Sequence, residues 1–307
     1  MTTVVEEVPP SLDGQRLDRV VAMITGASRA GAAALVVDGA VRVDGTVRTN
    51  GAARISAAEV LSVELTDVAA SEPEPDPGVA VTVVHADEHV IVVDKPAGLV
   101  VHPGAGHAEG TLVQGLLARF PELAGVGDPE RPGIVHRLDQ GTSGLLAVAR
   151  TGVAYTGLVA QLADRTMTRR YDTLVWGVPD SVEGVVDAPI GRSQRDPTRT
   201  SVTADGRPAR THYRVDATFT APAPLARLAC RLETGRTHQV RVHLAAIDHP
   251  VVGDRRYGRP PPPGSLTVDR PFLHAAHLGF THPVTGAALT FDAPLPPDLE
   301  AVLSQLR

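Results

Sequence analysis

Cysteine and lysine are almost absent from this chain of 307 residues, which contains one of each, Cys230 and Lys95. A single cysteine excludes an intramolecular disulfide and a cysteine-rich zinc site. Two explanations fit the lone lysine in a chain whose other basic residues are all arginine. It marks a place where a compact ammonium is needed and a planar guanidinium does not fit, or it survives by chance.

Long apolar runs are also missing. No stretch of about 18 uncharged apolar residues occurs, so a membrane-spanning helix is not expected. The first ten residues, MTTVVEEVPP, lack the basic start and apolar core of a secretory signal. These absences predict a soluble cytoplasmic protein. Aromatic residues make up only 3% of the chain, so Tyr171 and Trp176 stand out, either as core residues or as platforms for stacked bases.

Net positive charge is absent too, and the value of -6 argues against a generic nucleic-acid binder. The charge is unevenly distributed, however. Residues 1–78 hold 12 acidic residues against six arginines, whereas residues 192–241 hold ten arginines against four acidic residues, a net charge of +6. This second segment, the basic belt, either solvates a strand-rich surface or binds phosphates.

A proline-rich acidic segment, SEPEPDPG at 71–78, has no apolar periodicity and is typical of a linker. We therefore predict a small module over 1–70, a linker over 71–79 and a larger domain over 80–307. Within the module, apolar spacing predicts helices at 17–24 and 31–39. The alternating segment VRVDGTV around Asp44-Gly45 predicts a hairpin at 41–47.

In the larger domain, apolar patterning predicts more strands than helices. Helices are predicted at 110–120, 153–163 and 299–306. Strands are predicted within 80–102 (two of them), at both apolar ends of 133–150, and at 168–178, 209–219, 225–234, 237–247 and 288–295, with the end of 237–247 turning helical. Because strands do not alternate one for one with helices, the fold class is predicted as α+β.

The segment GIVHRLDQGTSGLLAVAR, residues 133–150, places a dense run of polar side chains between two apolar stretches. A carboxylate there, Asp139, is costly to bury unless something compensates its charge. One explanation is a structural salt bridge. The other is a nucleophile or base that a neighbouring arginine keeps ionised. The local sequence leaves both explanations open.

Other reactive-looking patterns are weaker. GTSG lacks the G-x-S-x-G spacing of a nucleophile elbow, although a hydrolase that pairs Ser143 with a histidine remains a further hypothesis. The glycine-rich GAGHAEG at 104–110 is not followed by G-K-[ST], so a turn is favoured over a phosphate cradle. His274 and His277 would lie one helical turn apart, but no second ligand pair accompanies them, and core or surface histidines are predicted rather than a metal site.

Two motifs resemble a known family. HRLDQGTSG at 136–144 together with GRTHQVRVH at 235–243 is similar to the signature of RluA/RluD-type RNA pseudouridine synthases. Further similar blocks occur in the same order, at 94–117, 171–177, 232–258 and 272–286, and residues 13–65 resemble the S-four-like RNA-binding module. The resemblance implies a catalytic domain with a mixed, mainly antiparallel central sheet flanked by helices and loops, preceded by a small α/β module.

The resemblance also implies a reaction, the isomerisation of uridine to pseudouridine within RNA, which needs no cofactor and no metal. Asp139 matches the family's catalytic aspartate, Arg241 the arginine that pairs with it, and Tyr171 the tyrosine that stacks on the target base. Because an in-helix uridine cannot present its glycosidic bond to a carboxylate, the nucleotide must flip out, at least cost in a loop. The implied substrate is a stem-loop of large-subunit ribosomal RNA, free or in a pre-ribosomal particle. Nothing in the sequence demands a partner chain, so a monomer is expected.

The candidate RNA-binding residues are basic side chains in the family blocks and in the basic belt. They are Lys95, His136, Arg137, Arg192, Arg195, Arg199, Arg236 and His238. In the S-four-like module, Ser28-Arg29 is followed by no further basic residue until Arg42, so the module orients RNA or contacts a protein rather than gripping RNA. An alternative to an enzyme is a ribosome-assembly RNA-binding protein whose catalysis is dispensable.

Overall fold

The computed structural model describes residues 2–25, 27, 29–65, 72–104, 107, 109–193, 196, 199–258, 260, 266 and 268–307. The chain divides into two compact units. The first consists of Met1–Pro73 with Pro103–Glu109, and the second consists of Glu74–His102 with Gly110–Arg307. The division falls inside the proline-rich acidic segment, while Pro103–Glu109, predicted as part of the larger domain, groups with the first unit.

The first unit contains a four-stranded antiparallel sheet in the order β1-β4-β2-β3. Its elements are β1 (Thr2–Glu7), α1 (Leu17–Thr25), α2 (Arg29–Val37), β2 (Val41–Val43), β3 (Thr46–Val47) and β4 (Val60–Leu65). The predicted helices and hairpin are confirmed. Asp44 and Gly45 both have positive φ, 47° and 78°, as the tight turn between β2 and β3 requires. The sequence analysis missed β1, an edge strand that ends in two glutamates, and its partner β4.

The second unit contains the remaining elements. They are β5 (Thr82–Ala86), β6 (Val90–Lys95), α3 (Leu112–Arg119), β7 (Ser143–Ala149), α4 (Gly152–Ala163), β8 (Thr168–Trp176), β9 (Glu183–Asp187), β10 (Ile190–Arg192), β11 (Thr200–Val202), β12 (Arg210–Phe219), β13 (Leu225–Leu232), α5 (Gln239–Ala246), β14 (Leu273–Thr281), β15 (Ala288–Asp292) and α6 (Pro297–Leu303).

A large central sheet organises this unit, in the order β5-β6-β7-β14-β8-β13-β12-β9, with β15 paired to β14. The pair β7–β14 is parallel, and the other neighbours are antiparallel. The predicted α+β class with a mixed, mainly antiparallel sheet is thus confirmed. Ile91 and Leu146 pack into one hydrophobic cluster, whereas Val92 and Leu145 pack into another. Successive strand residues point to opposite faces, so both faces of the sheet are covered.

Two predictions about strands are wrong. Residues 237–247, predicted as a strand whose end turns helical, form helix α5 over Gln239–Ala246, so only the helical end is right. Ile134, predicted as the end of a strand, forms only an isolated bridge with Val148. Helix α5 buries six consecutive residues, Gln239 to Leu244, so its apolar pattern has no helical period by which to recognise it. The consequence for the site is that Arg241 projects from the first turn of a helix.

Four further strands, β9, β10, β11 and β14, were not predicted individually. Of the helices within the described residues, none is long and apolar enough to cross a bilayer.

Candidate active site

A cavity of about 560 Å³ opens in the second unit beside the 133–150 segment. Its walls come from the loop before β7, from α4, from β8 and from the turn that leads into α5. Asp139, Tyr171 and His238 line it, and so does Arg169, which the sequence analysis did not select. Elements distant in sequence therefore bring the predicted catalytic residues to one place.

The loop that carries Asp139 is fastened from within. Leu138 is buried in the core, and His136 Nε2 accepts a hydrogen bond from the backbone N–H of Ala147 at 3.0 Å. The Thr142 N–H donates to the Asp139 carbonyl at 3.0 Å, which closes a turn. As a result, the Asp139 side chain faces the cavity and is 16% exposed.

Arg241 lies between two carboxylates. Its Nη1 donates to Asp139 Oδ2 at 3.0 Å, and its Nε and Nη2 donate to Asp254 Oδ2 and Oδ1 at 2.6 and 2.9 Å. The guanidinium also lies over the Tyr257 ring, 5.0 Å from the ring centroid. Bidentate pairing on one edge leaves the remaining donor aimed at Asp139, a geometry that lysine could not reproduce.

Electrostatics keep this arginine charged. Burial alone would lower the pKa of Arg241, but the hydrogen bonds and charges of Asp254 and Asp139 raise it above its ordinary value. Burial would raise the pKa of the Asp254 carboxyl, whose side chain is fully buried, yet the bonded guanidinium holds that pKa below its usual range. Asp139 therefore has a fixed cation on its inner side.

Tyr171 and His238 complete the surroundings of Asp139. Tyr171 lies on β8 and is 6% exposed, and burial raises the pKa of its hydroxyl, so the phenol stays protonated at neutral pH. His238 Nε2 lies 3.9 Å from Asp139 Oδ1, and its Nδ1 is 2.7 Å from the hydroxyl of Tyr257. Burial lowers the pKa of His238, so this ring is neutral at neutral pH.

Two of the predicted RNA-binding arginines line the cavity. Arg137 is exposed, and its Nη1 donates to His102 Nε2 at 3.3 Å. Arg236 donates through Nε to the Pro208 carbonyl at 3.1 Å, which leaves its other guanidinium nitrogens free of bonds to the described residues. Both guanidinium groups therefore lie at the cavity lining with donors directed at no described residue other than His102 and Pro208.

Lys95 requires a correction. It is fully buried, and its Nζ donates to the carbonyls of Pro96, Leu99 and Gln140 at 2.9, 2.8 and 3.4 Å, so the predicted contact with RNA is excluded in this structure. Burial lowers its pKa to about 8. A tetrahedral ammonium satisfies three converging carbonyls where a planar fork would not. This favours the first explanation of the lone lysine and assigns it to the support of the Asp139 loop.

The basic belt lies away from the cavity at the predicted positions Arg192 and Arg199. Arg192 ends β10 and is exposed, while Arg199 lies 3.3 Å from Asp196. Neither residue lines the cavity. Arg195, like Ser28 of the first unit, falls outside the described residues.

The weaker hypotheses fare differently. Ser143 Oγ lies 3.0 Å from His274 Nδ1, the pair that a hydrolase would need, but their exposures are 3% and 1% and neither lines the cavity. This burial excludes Ser143 as a nucleophile in this structure. His274 and His277 lie on strand β14, so the assumed helical turn was wrong, and His277 instead contacts Asp292 at 2.8 Å.

Sequence reasoning missed Asp254 and Tyr257. Besides Arg241, Asp254 Oδ1 accepts the backbone N–H groups of Arg256 and Tyr257 at 2.9 and 3.1 Å, so it organises its own loop. The signal was an acid inside the glycine-bounded GDRRYG, next to a rare tyrosine. It was weak because an acid in such a turn is ordinarily solvated.

Comparisons with known proteins identify the family of this chain. Residues 89–246 match the family model of RNA pseudouridylate synthase, and residues 15–61 match that of the S4 domain. The first match covers about half of the chain, which therefore belongs to the RNA pseudouridine synthase family. The predicted resemblance is confirmed, and so is the predicted enzyme class, an isomerase that acts on RNA.

Two relatives carry a more particular name. Ribosomal large subunit pseudouridine synthase D of Zymomonas mobilis is 43% identical over 305 residues, which are 95% of this chain and 94% of the relative. The protein of that name from Pseudomonas aeruginosa is 43% identical over 312 residues, 98% and 95% of the two chains. Among solved structures, Human RNA Pseudouridylate Synthase Domain Containing 1 superposes with a TM-score of 0.57 at 27% identity, covering 75% of this chain and 90% of that one.

Proposed function

We propose that this protein isomerises uridine to pseudouridine in a stem-loop of large-subunit ribosomal RNA, with Asp139 as the catalytic carboxylate. The observation that carries the proposal is the ion pair between Asp139 and Arg241, 102 positions apart in sequence, at a cavity that Tyr171 also lines. The names of the two relatives support the ribosomal substrate. We also propose that the protein acts in the cytoplasm and as a monomer.

Asp139 acts on the extruded nucleotide, by attack on the ribose or the base or by removal of a ribose proton. Each route requires an ionised carboxylate next to the nucleotide. Arg241 holds that carboxylate in position through the hydrogen bond from its Nη1, while Tyr171 packs against the base. The cavity of about 560 Å³ lies within the range of roughly 300–1,000 Å³ that small-ligand sites occupy, so one flipped nucleotide fits it.

The remaining residues of the proposal bind the rest of the RNA. Arg137 and Arg236 contact the RNA backbone at the cavity, and His136 and His238 support the loop and the turn around Asp139. The exposed arginines of the basic belt that lie outside the cavity, such as Arg192, hold phosphates farther away. We further propose that residues 1–70 act as an RNA-orienting module, joined through 71–79 to the catalytic domain at 80–307.

The test is a map of pseudouridines in large-subunit ribosomal RNA from cells with and without this gene. We expect one or more uridines in stem-loops to lose the modification in the deletion and to regain it when the wild-type gene is restored. An unchanged map in both large-subunit and small-subunit RNA would overturn the proposed substrate, and loss confined to another RNA class would reassign it.

Salt dependence measures the role of the basic belt. Arg192 and Arg207 are exposed and form no ion pair with the described residues, and Arg236 keeps free donors. Replacing all three by glutamine should make the slope of log affinity for RNA against log salt shallower by about 2, since each phosphate contact contributes roughly 0.7 to 0.9.

Arg210→Gln is the matched control, because this arginine is already paired with Asp187 at 2.6 Å. Its slope should change by less than about 0.5. If the triple variant kept the wild-type slope of log affinity against log salt, the basic belt would be only a solvated surface and would not bind phosphates.

A further inference from the structure

The cavity contains a second buried arginine whose situation is the opposite of Arg241's. Arg169 lies on β8, is 6% exposed and lines the cavity. Its Nε has no hydrogen-bond partner, and its Nη2 makes one long hydrogen bond, 3.4 Å, to the carbonyl of Glu233. Within the described residues no carboxylate lies in salt-bridge range of this guanidinium. A buried cation without a counter-ion is costly.

Glu233, whose backbone carbonyl accepts from Arg169, does not neutralise it with its side chain. The Glu233 carboxylate is held by Arg165 at 2.8 Å and by His212. Burial lowers the pKa of Arg169 from its ordinary high value, which is the direction expected of an uncompensated charge. Buried groups left unsatisfied in a native protein are concentrated at functional sites.

Other buried hydrogen-bonding groups that line the cavity are also unpartnered. Burial, and next the charge of Arg169, lowers the pKa of His136 to about 3, so the ring is neutral. Because its Nε2 accepts the Ala147 N–H, the ring proton is on Nδ1, and that atom has no partner. Thr142 Oγ1 is likewise buried and unpartnered, and both residues line the cavity. The cavity lining thus presents several unused donors.

The backbone makes room for the guanidinium. A Cβ at Gly235 would lie 2.9 Å from Arg169 Nη1, so a larger residue would push the guanidinium aside. Arg169 and Tyr171 are buried on the same face of β8, whereas Arg170 between them is exposed on the other face. A base packed on Tyr171 would therefore have the Arg169 guanidinium one side-chain position away, about 7 Å along the strand.

We propose that Arg169, with the His136 N–H beside it, binds the carbonyl oxygens of the uracil and stabilises the negative charge that the base carries after the glycosidic bond breaks. This inference rests on the proposed function. Arg169 is then a catalytic residue that contacts the base, whereas Arg241 positions the Asp139 carboxylate.

The electron balance of the reaction creates the need for such a group. When the bond between ribose C1′ and uracil N1 breaks, its electron pair stays with the base and is shared by N1, O2 and O4. The electron-poor ribose bonds to the Asp139 carboxylate or loses its C2′ proton to it. The base then rotates and its C5 bonds to C1′, either as the bond between C1′ and the Asp139 oxygen breaks or as Asp139 returns the proton to C2′. The C5 proton then leaves as N1 gains one, which restores the aromatic ring and frees the Asp139 carboxylate. Donors aimed at developing negative charge in a dry cavity are a large source of rate enhancement.

The test compares Arg169→Met with Arg170→Met, a matched control on the same strand whose side chain is 45% exposed. RNA stem-loops carry uridine or 5-fluorouridine at the target position. Glycosidic cleavage is followed in single turnovers at saturating RNA, and RNA affinity is measured separately. With uridine we expect Arg169→Met to lower the rate by about 10²- to 10³-fold with affinity within about 3-fold, and Arg170→Met to retain the wild-type rate.

The fluorinated base tests whether Arg169 stabilises negative charge on the detached base. Fluorine stabilises the detached base by itself, so the loss in Arg169→Met should shrink by about tenfold with 5-fluorouridine. The variant should melt no lower than wild type, because a buried unpaired charge has been removed. Arg169→Lys keeps the charge and should retain part of the rate.

Three results would overturn the inference. They are an unchanged rate at saturating RNA with weakened affinity, which would assign Arg169 to a phosphate, an equal loss with both bases, and a lowered melting temperature that accounts for the loss. Failure of the proposed function would look different, since wild type would then cleave the glycosidic bond of neither substrate.

Discussion

Replacing Asp139 by asparagine should lower the rate of uridine isomerisation by about 10⁴-fold or more, because an amide can neither attack carbon nor accept the ribose proton. Asparagine keeps an oxygen that can accept from Arg241 Nη1, now 3.0 Å from Asp139 Oδ2, so the fold should survive. The measurement is release of the C5 hydrogen from tritium-labelled uridine in a ribosomal stem-loop, in single turnovers.

Asp216→Asn is a suitable control for Asp139→Asn. Asp216 also pairs with an arginine, Arg214 at 2.9 Å, but the pair lies on β12 at the surface. Its variant should keep the wild-type rate. If the Asp139→Asn enzyme turned over at the wild-type rate, the Asp139 carboxylate would have no catalytic role and the proposed mechanism would be wrong.

The same variant separates catalysis from a role in ribosome assembly. If cells need the isomerisation, Asp139→Asn will fail to correct any growth or assembly defect of a deletion. If the variant corrects the defect while the pseudouridines stay absent, the cell depends on the protein's role in ribosome assembly. The isomerisation would then be dispensable.

The second large effect is expected at Asp254, the residue that sequence reasoning missed. Asp254→Asn should lower the free energy of unfolding by about 3 kcal/mol, because it removes one partner of a fully buried ion pair. The melting temperature should fall by roughly 10 °C for a unit of this size. Arg241 would also lose the bidentate clamp that aims its Nη1 at Asp139, so the isomerisation rate measured well below melting should fall by about 10²-fold.

Asp269→Asn provides the comparison, since Asp269 pairs with Arg255 at 3.3 Å while 92% exposed. Exposed pairs contribute little, and this variant should stay within about 0.5 kcal/mol of wild type. Equal stability of the Asp254 and Asp269 variants would mean that Asp254 does not hold Arg241. A stability loss without a rate loss would restrict Asp254 to folding.

Individual residues illustrate how far the sequence could be interpreted. Alternating and helical patterns located most strands and helices of the sheet domain, because those periods follow directly from backbone geometry. They failed at α5, where helix residues are buried all round, and at Ile134, which only bridges to β7. The roles predicted for Asp139, Arg241 and Tyr171 came from the resemblance, and no local pattern distinguished a catalytic carboxylate from a structural one.

By itself, the sequence determined the α+β class, the positions of its strongly patterned elements, the absence of disulfide chemistry and the presence of one unusual polar segment between apolar stretches. Only the tertiary structure decided how the charges are shared, because ion-pair partners such as Asp139 and Arg241 are 102 positions apart. Lys95 lies in the interior, Arg241 pairs with two carboxylates, and Arg169 pairs with no carboxylate of the residues that the structure describes. Whether a buried charge is compensated depends on packing between distant elements, and no local pattern encodes that.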